Sequence, residues 1–347
     1  MPYTLRTLPA LVLAALWTLS PYATPHAASR DVERLTPALD AILSVDATLE
    51  VVRQDYFGAA EGPLWVRDGN YLLLSDMAAN RIFRWDPGPK RLSVHLEKVG
   101  FITMDLTNVR VLDNGRLLVA LHGSNGLALD REGRLVYCSQ GGRAIVRVEK
   151  DGTRRTLVDR WEGKRLNGPN DLVVKSDGSI YFSDMGSQLT GGAAKSPDRE
   201  IDFQGAFRWK PDGTLQVIQR TLTNGLAFSP DEKYLYTTGG GGGITRHEVQ
   251  PDGSIANPAL HVDTRNQLLK GGSDGVRVDK HGYIFSSGPG GVWIAAPDGT
   301  HIGTVYTPDR NANENTTSVA FGDADGKGLY ITTVRSVFHI RMKRAAW

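Results

Sequence analysis

Beyond about residue 45, apolar positions do not recur at helical spacing; they come as runs of a few residues separated by turn formers. One pattern appears six times, at residues 64–76, 127–139, 172–184, 226–239, 276–288 and 319–333. Each copy is a β-rich run, a turn, and a second apolar run that ends on small or polar residues. The turns are Arg67-Asp68-Gly69, Arg131-Glu132-Gly133, Ser176-Asp177-Gly178, Pro230-Asp231-Glu232, Lys280-His281-Gly282 and Ala324-Asp325-Gly326. Asp-Gly between β-formers is a strong short-range hairpin signal, because glycine and aspartate tolerate the backbone that joins two twisted strands. A third, alternating strand follows, as in Arg81-Ile82-Phe83-Arg84-Trp85 and Gly205-Ala206-Phe207-Arg208-Trp209. Several of these end in a further turn, such as Pro211-Asp212-Gly213 or Pro297-Asp298-Gly299. Helical character is confined to a short stretch near residues 37–43.

Copies repeating every roughly 45 to 60 residues, several strands apiece, predict an all-β, six-bladed β-propeller. The last copy runs out at Val337-Phe338-His339-Ile340 without an outer strand. Leu49-Glu50-Val51-Val52-Arg53, upstream of the first copy, is placed to supply it and close the ring, which leaves no long free sheet edge. An additional hairpin-like stretch at 111–121, with its turn at Asn114-Gly115, reads as the outer part of blade one or as an insertion. The expected organisation is therefore a signal peptide at 1–28, a lead-in at 29–44 and one propeller domain at 45–347.

The signal peptide is read from Arg6, an apolar run at 8–19 and small residues at Ala23, Ala27 and Ala28. That run is too short to cross a bilayer, which needs roughly 20 residues, so a periplasmic or secreted protein is expected, with no membrane association after cleavage. The charge balance, 40 basic against 38 acidic residues, offers no polyanion-binding surface, so no nucleic-acid partner is expected. The single cysteine, Cys138, excludes an intramolecular disulfide. In the apolar stretch Leu135-Val136-Tyr137-Cys138 it reads as a small core residue.

Candidate chemistry emerges from a second register. Eight residues before each turn position stand Glu61, Asn125, Asn170, Asn224, Asp274 and Ser318, each directly preceding the apolar inner strand of its blade. Inner strands line the axis of a propeller, so these side chains should converge near one mouth of the channel. They are all hard oxygen donors. Such a set suits calcium, whereas zinc prefers nitrogen and sulfur; two carboxylates, Glu61 and Asp274, would balance a divalent charge.

In these segments the chain resembles the SMP-30/gluconolactonase/LRE-like proteins. The resemblance is carried in order by Glu61-Gly62-Pro63-Leu64-Trp65, Asn125-Gly126-Leu127-Ala128-Leu129-Asp130, Asn167-Gly168-Pro169-Asn170-Asp171-Leu172, Asn224-Gly225-Leu226-Ala227-Phe228-Ser229 and Ser273-Asp274-Gly275-Val276-Arg277-Val278. It implies a six-bladed propeller and a calcium-dependent hydrolase of a lactone or related ester, with magnesium, manganese or zinc as substitute ions. It further implies Glu61, Asn224 and Asp274 as metal ligands, and Asn170 as a ligand or substrate-contacting neighbour counted among the catalytic positions. Asp274 would be the general base, although Glu61 is the other carboxylate able to move a proton.

His122, Asn125, Gln140 and Met185 are expected to contact a small-molecule substrate at the mouth. Family members commonly have Glu-His where this chain has Ser139-Gln140, and Pro-Pro-Tyr-Gly where it has Met185-Gly186-Ser187-Gln188. These differences admit a ligand less polar than a plain sugar lactone. Residues 189–203 are expected as a lid or rim. Alternatives left open are hydrolysis of phosphotriesters or fluorophosphates, another reaction on the same scaffold, and a non-catalytic, metal-stabilised binding propeller.

Overall fold

The structure, a computed structural model, describes residues 31–100, 109–111, 117–119, 123–187, 189, 196–239, 242–265, 269, 271–309 and 315–347. The signal-peptide expectation and His122 lie outside them. Among the described residues no helix is long and apolar enough to cross a membrane.

Six antiparallel sheets account for the six sequence copies. Blade 1 runs β3 (Ala60–Val66), β4 (Tyr71–Asp76), β5 (Arg81–Asp86) and β6 (Arg91–Glu97), and blade 2 runs β9 (Ser124–Leu129), β10 (Leu135–Ser139), β11 (Ala144–Val148) and β12 (Arg154–Val158). A two-stranded hairpin, β13 (Arg160–Trp161) and β14 (Lys164–Arg165), leads into blade 3, which is β15 (Pro169–Val174), β16 (Ile180–Asp184), β17 (Gly205–Trp209) and β18 (Leu215–Gln219). Blade 4 is β19 (Leu226–Phe228), β20 (Tyr234–Thr238), β21 (Gly243–Val249) and β22 (Ile255–Asp263). Blade 5 contains β23 (Val276–Val278), β24 (Ile284–Gly288), β25 (Gly291–Ala295) and β26 (His301–Tyr306); blade 6 contains β27 (Thr316–Gly322), β28 (Gly328–Thr333) and β29 (Val337–Arg341).

The ring closes as the sequence suggested: β2 (Glu50–Arg53) pairs antiparallel with β29 and becomes the outer strand of blade 6. The innermost strands touch in ring order β3, β9, β15, β19, β23, β27 and back to β3, which fixes a single axial channel. The lead-in contributes more than an approach. β1 (Val32–Arg34) adds a fifth strand to blade 5 through β26, and a 3-10 helix at Pro37–Ala41 sets Leu39, with Ile42 and Leu43 just beyond it, into the core between blades 5 and 6. The hairpin-like stretch after blade 1 forms its own two-stranded sheet, β7 (Val109–Val111) with β8 (Leu117–Val119), and is an insertion; β6 is the outer strand of blade 1.

The core is a set of layers between neighbouring blades. Leu73 and Ile82 of blade 1 meet Leu127 and Tyr137 of blade 2; Cys138 and Ile145 meet Phe182 and Phe207; Trp65 and Phe83 meet Ala320 and Tyr330. Each sheet is thus covered on both faces. That is why second strands such as Leu72-Leu73-Leu74 or Ile180-Tyr181-Phe182 are continuously apolar rather than alternating. Outer strands such as β6 face solvent and alternate. Cys138 is fully buried, and burial pushes its thiol well above the usual range, consistent with a core residue.

Candidate active site

The register residues sit where the inner strands begin, and there the strands bulge. Glu61 pairs with Ser75 but Leu64 with Leu73, so three residues of β3 span two of β4. Pro169 pairs with Asp184 and Leu172 with Phe182, the same slip in blade 3, and β9 and β27 slip at the corresponding point. A bulge turns its side chains out of the normal alternation in these four blades; in blades 4 and 5 the register is unbroken, and Asn224 and Asp274 stand just ahead of the paired residues.

Neighbouring blades are locked at this level by hydroxyls donating to the backbone of the next register residue. Ser75 Oγ donates to the Asn125 carbonyl at 2.7 Å, Ser183 Oγ to the Asn224 carbonyl at 2.6 Å, and the Thr238 hydroxyl to the Asp274 carbonyl. Thr317 Oγ1 closes the ring on the Ala60 carbonyl at 2.8 Å. The approach is close enough that Gly225 is required: a methyl group there would collide with the Asp274 carbonyl, while its own N–H donates to that carbonyl at 3.2 Å.

Glu61, Asn224 and Asp274 come together. Glu61 is buried, its carboxylate held by one backbone donor, Gly62 N at 3.2 Å. Burial first, then the charges of Asp274 and Asp171, push its carboxyl well above the usual range, partly offset by Gly62 and Arg277. Asp274 is pushed up to about 7 by burial and by Asp171, against a hydrogen bond from the Asn224 side chain. The remaining polar atom of that amide, Asn224 Oδ1, is buried without a hydrogen-bond partner. Asn170 is buried in β15, its carbonyl against Gly126 of blade 2.

This donor set fits a hard divalent cation. Two desolvated carboxylates, both pushed up by burial and by the charge of Asp171, beside an amide oxygen with no partner, are what a cation would satisfy. Among the described residues no group of three or more His, Cys, Asp or Glu side chains is placed to hold a metal ion, so a cation here would need the amide oxygens as well.

The other expected contacts are placed as follows. Asn125 is buried, its Nδ2 donating to Met77 Sδ at 3.3 Å. Gln140 is buried, its N–H donating to the Gly123 carbonyl at 3.0 Å. Met185 is half-buried at the end of blade 3's second strand, its carbonyl accepting from Gln204 Nε2 at 2.7 Å. Of the expected rim, residues 196–203 are tied to the site loop, because Asn167 Nδ2 donates to the carbonyls of Ile201 and Phe203, both at 3.0 Å. Asp184 accepts from the N–H groups of Asn167 at 2.8 Å and Gly168 at 2.5 Å and so holds the loop leading to Asn170; burial pushes it up to about 6.

Two residues at the axis escaped the sequence reading. Asp171 accepts from Leu172 N at 2.9 Å, from Leu226 N of blade 4 at 3.4 Å and from Arg277 Nη1 of blade 5 at 3.3 Å. Breaks in the repeat signal both. The position after the register residue is Gly62, Gly126, Gly225 and Gly275 in four copies and Val319 in the sixth, with Asp171 in the third its one charge. Three positions after the register residue stand Leu64, Ala128, Val173, Ala227 and Phe321, with Arg277 the lone charge in that tier.

Fold and site define a six-bladed propeller in which the buried side chains of Glu61, Asn224 and Asp274 come together at the start of the inner strands. The chain belongs to the SMP-30/Gluconolactonase/LRE-like family, whose model matches residues 59–335. It is 34% identical over 322 residues to a gluconolactonase of Zymomonas mobilis, covering 90% of this chain and 86% of that one. A pentonolactonase of Haloferax volcanii is 26% identical over 282 residues, covering 79% and 80%. Among solved structures, a gluconolactonase of Xanthomonas campestris superposes with a TM-score of 0.74 at 31% identity, covering 90% of this chain and 94% of that chain.

Proposed function

We propose that the protein is a divalent-cation-dependent lactonase that hydrolyses the ring ester of a sugar lactone, with calcium as the ion. The observation that carries the reading is the unpartnered, buried Asn224 Oδ1 beside the paired carboxylates of Glu61 and Asp274. The likeness to a gluconolactonase over 90% of this chain supports the substrate class. Glu61, Asn224 and Asp274, with Asn170 adjoining, would hold the ion. When bound, it supplies Lewis acidity for the ester carbonyl and for the negative charge that develops on its oxygen.

The chain's own groups do the rest. Asp274, oriented by the Asn224 amide, takes a proton from the attacking water. As the water oxygen bonds to the carbonyl carbon and the ring C–O bond breaks, that proton is delivered to the departing ring oxygen, giving the open hydroxy acid. Glu61, embedded and held by Gly62 N, is assigned to ligation. The reading includes export, on the strength of the apolar run at 8–19 and the small residues after it. N-terminal sequencing of the mature chain from extracytoplasmic fractions tests that part.

The test of function is hydrolysis of a panel of five- and six-membered sugar, aliphatic and aromatic lactones by the purified chain, before and after chelation and calcium return. Activity should vanish with chelator and return with calcium, and Asp274→Asn should lower kcat by about 10² to 10⁴. Turnover indifferent to chelation, or an Asp274→Asn variant with full kcat, would overturn the reading.

A further inference from the structure

Blade 2 departs from its neighbours on the face it turns to blade 3. In each of blades 1 to 4, cross-strand partners form one row from the inner strand outward. The row reads Leu64, Leu73, Arg84 and Ser93 in blade 1, and Val173, Tyr181, Arg208 and Gln216 in blade 3. In blade 4 it reads Ala227, Tyr236, Arg246 and Ala259. In blade 2 it is Ala128, Val136, Arg147 and Arg155. The third-strand arginine is common to all four. In blades 1, 3 and 4 it lies over a second-strand tyrosine: Arg84 over Tyr71 at 3.8 Å, Arg208 over Tyr181 at 5.7 Å and Arg246 over Tyr234 at 4.7 Å. Blade 2 has lost the ring. Val136 stands opposite Arg147, and Arg134 stands where blades 1 and 4 have Tyr71 and Tyr234. It has gained a cation, Arg155, where the other rows end in Ser93, Gln216 and Ala259.

The missing ring coincides with a cavity of about 600 Å³ between blades 2 and 3, a volume usual for small-molecule sites. It lies at the turn end of the two hairpins, whereas Asn125 and Asn170 stand at the start of the inner strands. Val136 and Leu157 line it from blade 2, and Ile180, Trp209 and Pro211 from blade 3. Each acidic residue of the lining already has a cation: Asp130 and Glu132 hold Arg134 at 2.7 and 2.8 Å, Asp177 holds Arg208 at 3.3 Å, and Asp212 holds Lys210 at 3.0 Å. The reverse does not hold. Arg131 and Arg155, both exposed on the lining, form no ion pair among the described residues. Glu149 feels the charge of Arg155 but is bonded to Arg147 at 2.6 Å and Arg134 at 3.2 Å. Arg147 and Arg155 are direct cross-strand partners, and like charges so placed repel unless an anion lies near them.

We propose that this cavity is a second small-molecule site, apart from the axis, that binds an aromatic carboxylate. Its ring takes the place of the absent tyrosine, against Trp209, Leu157 and Pro211 and within reach of the Arg147 guanidinium. Its carboxylate pairs with Arg155 and Arg131 at the rim. The site does not depend on the ion or on lactone hydrolysis.

Titration calorimetry of the purified chain with 2-naphthoate, in excess chelator and again with calcium, tests it. One equivalent should bind in both conditions. The uncharged 2-naphthalenemethanol and the saturated decahydro-2-naphthoate should each bind at least about tenfold more weakly. Replacing both rim arginines, Arg131→Gln with Arg155→Gln, should weaken 2-naphthoate at least about tenfold and leave 2-naphthalenemethanol unchanged. Val136→Tyr, which supplies the ring that blade 3 has opposite Arg208, should abolish binding of 2-naphthoate and leave lactone turnover unchanged. The arginine variant, altered only at exposed positions, decides the matter even where Val136→Tyr folds poorly. No binding at millimolar 2-naphthoate, or binding that the arginine variant keeps in full, overturns the proposal. Binding seen only with calcium belongs to the axial site and also overturns it. None of these results bears on the lactonase reading.

Discussion

Asp274 gives the sharpest quantitative expectation. In the ion-free protein its carboxyl is pushed up to about 7 from an ordinary 3.8, chiefly by burial and then by Asp171. Folding therefore favours the protonated acid. The associated stability is fully present below the unfolded pKa and is lost as pH rises through about 7. At about 1.4 kcal/mol per pH unit the whole effect is about 4 kcal/mol, of which about 3 kcal/mol falls between pH 5 and pH 9. A chain of this size unfolds with an entropy on the order of 0.6 kcal/mol per degree, so the loss corresponds to a Tm decrease of about 5 °C. The assay is thermal unfolding in excess chelator from pH 5 to pH 9, for wild type and Asp274→Asn, repeated with calcium. The substitution keeps the shape and removes the titration, so its Tm should be flatter across this range by that amount. Calcium should flatten the wild-type curve from the other side, by stabilising the ionised form. A chelated wild type whose Tm is constant or rises from pH 5 to pH 9, or an Asp274→Asn variant with the same slope, would refute the argument.

Three further outcomes follow from packing. Gly225→Ala sets a methyl group against the Asp274 carbonyl; it should cost about 1–3 kcal/mol in chemical denaturation and weaken calcium binding, because the collision falls on the backbone of a residue proposed to hold the ion. Leu39→Ala should cost about 2–5 kcal/mol by the same measurement, since Leu39 is fully buried among Ile302, Val305 and Phe338, and its loss should show that the segment ahead of blade 1 belongs to the cooperative core. Cys138 should resist thiol reagents in the native protein at pH 8 and react at once in denaturant, being fully buried with its thiol held protonated; rapid native labelling would place it outside the blade 2–3 core.

The repeat could be read from the chain because a hairpin is a local object. Its turn residues and flanking β-formers lie within about a dozen positions, and the same signal recurs in every blade. The register of Glu61, Asn170, Asn224 and Asp274 was legible for a related reason: each stands at a fixed offset from a turn, so periodicity alone places them on one tier. Asp171 and Arg277 illustrate the limit. They are separated by 106 positions, and only ring closure brings their charges to 3.3 Å. Each broke the repeat, yet a break by itself does not say which partner it finds.

By itself, then, the sequence determined what local physics determines: six hairpin-based blades, the strand that closes the ring, a buried cysteine, and a tier of oxygen donors ahead of the inner strands. Tertiary structure alone decided that β1 and the 3-10 helix complete blade 5 and its core, and that the stretch after blade 1 stands apart as β7 and β8. It also decided that Asn224 Oδ1 is left without a partner and that Arg277 faces Asp171. The reason is the same in each case. Desolvation and Coulomb interaction depend on which side chains share a small volume, and in a closed ring that is set by blades far apart in the chain.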